Sequence, residues 1–144
     1  MEIPIRVLHP NATVPFYANE GDAGCDLVAV ESTIIKAGGG RAMVPTGLAV
    51  AIPEGHGGFV LPRSGLAAKH GVTCINAPGL IDAGYRGEVM IALVNLDPTN
   101  DYEVQKGDRI AQLVVLPVPS ATFAPVEALP EAKRGEGGFG SSGR

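Results

Sequence analysis

The chain has 144 residues, 45% of them hydrophobic and 18% charged, which suits one globular domain with a modest core and excludes a multidomain machine. Its net charge of −4 at pH 7, with 11 Lys and Arg against 15 Asp and Glu and no basic run, excludes the broad electrostatic footprint needed for duplex nucleic acid. An anionic ligand must therefore be held locally.

Twenty glycines and twelve prolines beside a positive mean hydropathy call for short strands joined by tight turns. In chain order, Ile3 to Leu8, Leu48 to Ile52, Phe59 to Leu61, Val89 to Leu96 and Ile110 to Leu116 are short, often alternating runs rich in Val, Ile and Leu, and they read as strands. Turn signals separate them at His9-Pro10-Asn11, Gly38-Gly39-Gly40, Pro53-Glu54-Gly55, Asp97-Pro98-Thr99-Asn100 and Lys106-Gly107-Asp108, where positive φ, fixed φ or a capping side chain reverses the chain. Only Ser64 to His70 reads as a helix, with Ser64 as a possible N-cap and Gly71 as the stop. The expected fold is all-β, an antiparallel sandwich, jelly roll or barrel with one short helix.

After Ala121 the texture changes: Pro125 and Pro130 break the pattern, and residues 134–144 are dense in Gly and Ser around Arg134 and Phe139. A disordered terminus is the plain reading of such a tail. One aromatic and one guanidinium on a glycine-rich backbone also suit folding over a ligand with a flat ring and phosphates. The expected organisation is a body at 1–126 and a flexible glycine-rich C-terminal arm at 127–144. Cys25 and Cys74 are too few for a disulfide framework and match no zinc spacing, so they are expected to be reduced, buried thiols. The N-terminus lacks a signal-peptide pattern and no apolar run is long enough to span a bilayer; the expectation is a cytoplasmic protein without membrane or nucleic-acid partners.

Common motifs fail on context. No Gly-Lys pair exists for a phosphate loop, Gly135, Gly137 and Gly140 lie too near the end of this sequence for a dinucleotide fold, and Pro62 stands where a nucleophile elbow at Ser64 needs glycine. Five short blocks remain: Asp22 to Leu27, Pro62 to Ala67, Gly79 to Glu88, Gly107 to Leu113, and Arg134 to Gly143. Asp82, in a Gly-flanked turn beside Tyr85, is either a general base for water or a carboxylate capping its own turn. Asp26 is either a carboxylate for a divalent cation, directly or through water, or a surface residue. Arg63-Ser64-Gly65 at a helix start combines a guanidinium, a hydroxyl and unpaired N–H groups, a local anion site. Gln112, among apolar residues, either bonds buried backbone or faces a site. Arg86 and Glu88 could form a surface or interface ion pair.

In this order the five blocks closely resemble the five motifs of the trimeric dUTP pyrophosphatases, over about Ile3 to Gly143. The resemblance implies a jelly-roll or β-clip subunit, a homotrimer with active sites at subunit interfaces, and Mg²⁺-assisted hydrolysis of dUTP to dUMP and pyrophosphate, limiting uracil incorporation into DNA and supplying dUMP for thymidylate synthesis. It makes Asp82 the base for water attacking the α-phosphorus and places Tyr85 against the deoxyribose. A hairpin at about Val72 to Tyr85 would receive uracil, with Asn76 bonding the base. Arg63, Ser64, Gly65 and Gln112 match phosphate contacts, and Asp26 the carboxylate that orders the metal through its waters. In the tail, Phe139 matches the aromatic stacked on uracil, Arg134 a phosphate contact, and Gly140 and Ser141 part of the backbone wrapped around the triphosphate.

Two other readings compete. A dCTP deaminase of the same superfamily is disfavoured because Ala92 occupies the position of its catalytic Glu. A silent nucleotide-binding jelly roll would have no need of Asp82 as a base.

Overall fold

The computed structural model describes residues 1–133 and 135–138. In chain order it comprises β1 (Ile5–Val7), β2 (Cys25–Val28), β3 (Thr33–Ile35), β4 (Gly40–Pro45), β5 (Leu48–Val50), β6 (His56–Pro62), α1 (Ser64–His70), β7 (Val72–Cys74), β8 (Gly79–Ile81), β9 (Met90–Asn95), β10 (Tyr102–Val104) and β11 (Arg109–Pro117). The fold is the expected all-β jelly roll with one short helix. Every strand pairing is antiparallel, in a four-stranded sheet ordered β2-β11-β6-β8, a three-stranded sheet ordered β4-β9-β7, and the two pairs β1-β5 and β10-β3.

Alternation along paired strands decides what faces the core. In the larger sheet, Leu27, Ala111, Leu113, Val60 and Ile81 share the inner face and join Val44, Val72, Cys74, Ile91 and Leu93 of the smaller sheet in one buried cluster. Each large aliphatic side chain buried there stabilises the fold by roughly 1.5–3 kcal/mol. The intervening residues Asp26, Gln112 and Leu61 are partners in register on the opposite face.

The strands read from the sequence are present with shifted ends. Phe59 to Leu61 extends to His56–Pro62 because β11 pairs along it from Ala111 opposite Pro62 to Pro117 opposite His56. Strands β2, β3, β4, β7, β8 and β10 lie outside the apolar runs; all but β4 span only three or four residues, too short for a period to register. The helix runs over Ser64–His70 as expected, but Arg63, with φ −91° and ψ 126°, occupies the N-cap without a side-chain capping bond. Ser64 is therefore the first helical residue, and its hydroxyl does not cap the helix. Gly71 stops the helix at φ 65°, where its N–H reaches the carbonyls of Ala67 and Leu66.

Cys74 is buried and Cys25 half-buried, both free; burial pushes both thiols above their ordinary pKa. Among the described residues no helix is long and apolar enough to cross a membrane. Beyond β11, Val118 donates to the Gly55 carbonyl at 2.8 Å. Residues 118–133 are exposed throughout, including Phe123 at 91% and Leu129 at 84%.

Candidate active site

Strand β8 ends at Ile81, and Asp82 opens a turn closed by the Tyr85 N–H on the Asp82 carbonyl at 3.0 Å. Arg86 Nη1 braces that turn with 2.7 Å bonds to the carbonyls of Ala83 and Tyr85. Glu88 instead accepts from the Gly47 N–H at 2.8 Å, so the suggested Arg86–Glu88 ion pair does not form within the chain. Four other aspartates accept backbone N–H bonds: Asp22 from Asn19, Asp97 from Thr99 and Asn100, Asp101 from Ala37, and Asp108 from Gln105. The exposed Asp82 carboxylate has no such bond among the described residues, which removes the turn-capping alternative. A carboxylate left uncapped can accept a proton from water without releasing the fold around it.

Asn76 and Tyr85 line a cleft of about 260 Å³ between the two sheets at the β8 edge, walled by Val60, Ile81, Met90 and Ile91. The chain reverses between β7 and β8 through the cis bond Ala77–Pro78. Its two arms do not make the expected hairpin ladder: β7 pairs with β9 and β8 with β6, so the reversal bridges the sheets and opens the cleft between them. Gly79 lets Asn76 lie close, since a Cβ there would stand 3.3 Å from Asn76 Nδ2.

Asp26, Arg63 and Gln112 meet in a second cleft of about 450 Å³, joined by Arg109. Asp26 is 2% exposed; its Oδ2 accepts from Arg109 Nη1 at 2.9 Å, and Arg63 Nε stands 3.4 Å from Oδ1. Arg63 Nη1 also donates to the Arg109 carbonyl at 3.0 Å, linking the two arginines. Arg109 sits where the β11 register shifts against β2, a bulge that turns its side chain toward Asp26. The sequence reading gave Arg109 no role; its place in the fourth block was the available signal, but only β2–β11 pairing shows its partner.

Asp26 Oδ1 is the one buried side-chain oxygen or nitrogen without a hydrogen bond among the described residues. No group of three or more His, Cys, Asp and Glu able to hold a metal exists among them. Oδ1 faces the Arg63 guanidinium and Oδ2 accepts from Arg109, so these residues make no protein cage for Mg²⁺, and Asp26 could meet that cation only through the waters it keeps.

The two clefts have no lining residue in common. Asp82, Ser64 and Gly65 line neither, and Arg134, Phe139, Gly140 and Ser141 lie outside the described residues. His70 packs on Tyr102 with ring centroids 5.0 Å apart.

A cleft holding Asn76 and Tyr85, a second cleft holding two arginines, and an uncapped Asp82 carboxylate lie on one jelly-roll chain, a set of groups that suits a nucleoside-phosphate hydrolase. The family model described as dUTPase matches residues 10–143. Deoxyuridine 5'-triphosphate nucleotidohydrolase of Leifsonia xyli is 55% identical over 130 residues, 90% of this chain and 85% of its own. The enzyme of the same name from Thermobifida fusca is 51% identical over 143 residues, 99% of this chain and 79% of its own. The dUTPase of Staphylococcus bacteriophage 80alpha, solved with dUPNHPP, superposes with a TM-score of 0.92 at 30% identity, covering 99% of each chain. A mutant dUTPase from phage phi11 of S. aureus, described as revealing the coordination of a structural Mg(II) ion, superposes at 0.82 with 27% identity, covering 91% of this chain and 100% of its own. The chain belongs to the dUTPase family.

Proposed function

We propose that this chain hydrolyses dUTP to dUMP and pyrophosphate, with Asp82 as the general base. The carrying observation is the Asp82 carboxylate: among the acidic residues of the first four blocks it alone combines exposure and an ordered turn with a carboxylate free of any bond among the described residues. Water loses a proton to Asp82 as its oxygen bonds to the α-phosphorus, and the α–β bridging oxygen leaves with pyrophosphate. Asn76 bonds uracil in the cleft between the sheets, where the 5-methyl of thymine would meet the wall. Tyr85 packs on the deoxyribose and leaves no room for a 2′-hydroxyl. Arg63, Ser64, Gly65 and Gln112 contact the phosphates. Asp26 would hold Mg²⁺ through water, and the ion when bound supplies neutralisation of phosphate charge.

The active unit is a homotrimer with sites between subunits. Supporting this, Asp26 and Gln112 lie on the outer face of the larger sheet, whereas the cleft of Asn76 and Tyr85 opens between the sheets; neighbouring copies can unite the two halves. Exposed Phe123, Val126 and Leu129 supply apolar surface for association. The segment 127–144 acts as an arm that closes the site, with Phe139 on uracil and Arg134, Gly140 and Ser141 on the triphosphate; closure excludes water and aligns the attack. The reaction takes place in the cytoplasm.

The test is pyrophosphate release from dUTP with Mg²⁺ by the parent and by Asp82→Asn. Turnover by the parent and its loss in the variant, with nucleotide binding kept, support the assignment. Full activity in Asp82→Asn removes Asp82 from the base role. Ammonia release from dCTP would indicate deaminase chemistry instead.

A further inference from the structure

The Tyr85 ring is tied to its turn by contacts that the turn itself does not require. Tyr85 Oη donates to the Glu88 carbonyl at 2.9 Å. Glu88 is fastened in turn to the link between β4 and β5, where its Oε1 accepts from the Gly47 N–H at 2.8 Å. Between these anchors the ring crosses over residue 87. A Cβ on Gly87 would lie 2.5 Å from Tyr85 Oη, 2.7 Å from Cζ and 3.1 Å from Cε2, well inside the roughly 3.5–4.0 Å of ordinary carbon contact.

Gly87 is not among the glycines at positive φ, so its backbone conformation is open to an L side chain. What excludes a side chain is the phenol ring. The contrast with Gly84 in the same turn is direct, since a Cβ there meets nothing within 4 Å. Restoring contact distance in a Gly87→Ala chain requires the ring to move by about 1 Å. Such a shift strains or breaks the bond to Glu88 and opens the cleft wall that Tyr85 forms with Glu88 and Val89.

We infer that Gly87 is a specificity-determining position: with Glu88 anchored on Gly47, it holds Tyr85 where the ring separates 2′-deoxyribose from ribose triphosphates. The inference rests on the sugar-facing role of Tyr85 proposed above. Gly87 and Glu88 touch no substrate in this account; they are positioning residues acting through the ring.

The experiment measures kcat/KM for dUTP and for UTP, with Mg²⁺, in the full chain and in Gly87→Ala, Tyr85→Phe, Tyr85→Ala and Gly87→Ala/Tyr85→Ala. Gly87→Ala is expected to lower the dUTP-to-UTP ratio by at least about tenfold, the lower end of what one small group contributes to discrimination. Tyr85→Phe, which keeps the ring and loses the tether, lowers it by less. Once Tyr85 is alanine, adding Gly87→Ala changes the ratio no further. A purely structural role would depress both substrates alike and leave the ratio unmoved. Relaxed discrimination in Tyr85→Ala with a parental ratio in Gly87→Ala overturns the inference alone. A parental ratio in Tyr85→Ala overturns the sugar-facing role of Tyr85 as well.

Discussion

Replacing Arg109 with leucine removes the guanidinium that donates to Asp26 Oδ2 at 2.9 Å and keeps the carbonyl that accepts from Arg63. Asp26 is 2% exposed and its Oδ1 already lacks a hydrogen bond. The variant therefore leaves both oxygens of a buried carboxylate without one, with Arg63 Nε at 3.4 Å as the remaining nearby positive charge. Removing one partner of a buried ion pair costs about 3–5 kcal/mol. Two features reduce that cost: the Arg109 side chain is 42% exposed, so water can enter where it leaves, and Arg63 remains. A loss of about 2–3 kcal/mol follows, or a fall in Tm of about 5–12 °C for a domain of this size. Calorimetry at one fixed protein concentration measures it, because association itself moves Tm. Pyrophosphate release should fall in parallel as Arg63 turns further onto Asp26. Adding Asp26→Asn should recover part of the stability, since an amide needs no counter-charge. An Arg109→Leu protein that melts within about 2 °C of the parent and turns over dUTP normally would refute the reasoning.

Asp82→Asn should retain dUTP binding while pyrophosphate release drops roughly 10²–10⁴-fold, the contribution of a positioned general base; equal turnover numbers would contradict it. Deleting residues from 134 onward should leave Tm nearly unchanged, because residues 118–133 preceding the cut are already exposed, while kcat falls steeply; a truncated chain with the full rate would disprove the closing arm. Asp97 is held below its ordinary pKa of 3.8 by the N–H groups of Thr99 and Asn100, and Asp101 by Lys36 and the Ala37 N–H. A depressed folded value means that the stabilisation is present above about pH 3.8 and is lost as pH falls through the lower folded values. Melts between about pH 5 and 2 should show this acid limb, flattened in Asp97→Ala and Asp101→Ala; an identical limb in both variants would count against these bonds.

The helix was legible because its punctuation is local. Gly71 reaches φ 65° whatever packs nearby, and the residues before it are good helix formers. Its N-cap differs from the expectation because Ser64 has the chemistry of a cap, yet Arg63, extended after the end of β6, takes that position. Strands rich in Val, Ile and Leu were equally legible, whereas β10, reading Tyr-Glu-Val, carries no period of its own. It exists because β3 lies beside it, with Tyr102 opposite Ile35.

The candidate site divides in the same way. By itself the sequence determined the all-β class, the short helix, and the five ordered blocks that carry the family resemblance, since turn chemistry and motif spacing are properties of neighbours along the chain. Only the tertiary structure decided that Arg109 meets Asp26 across 83 positions, that Asp82 is left uncapped, and that Gly87 makes room for Tyr85. It also decided that the β7–β8 reversal bridges two sheets. The physical reason is strand register: a shift of one residue exchanges the two faces of a sheet, and no local pattern records which distant strand sets it.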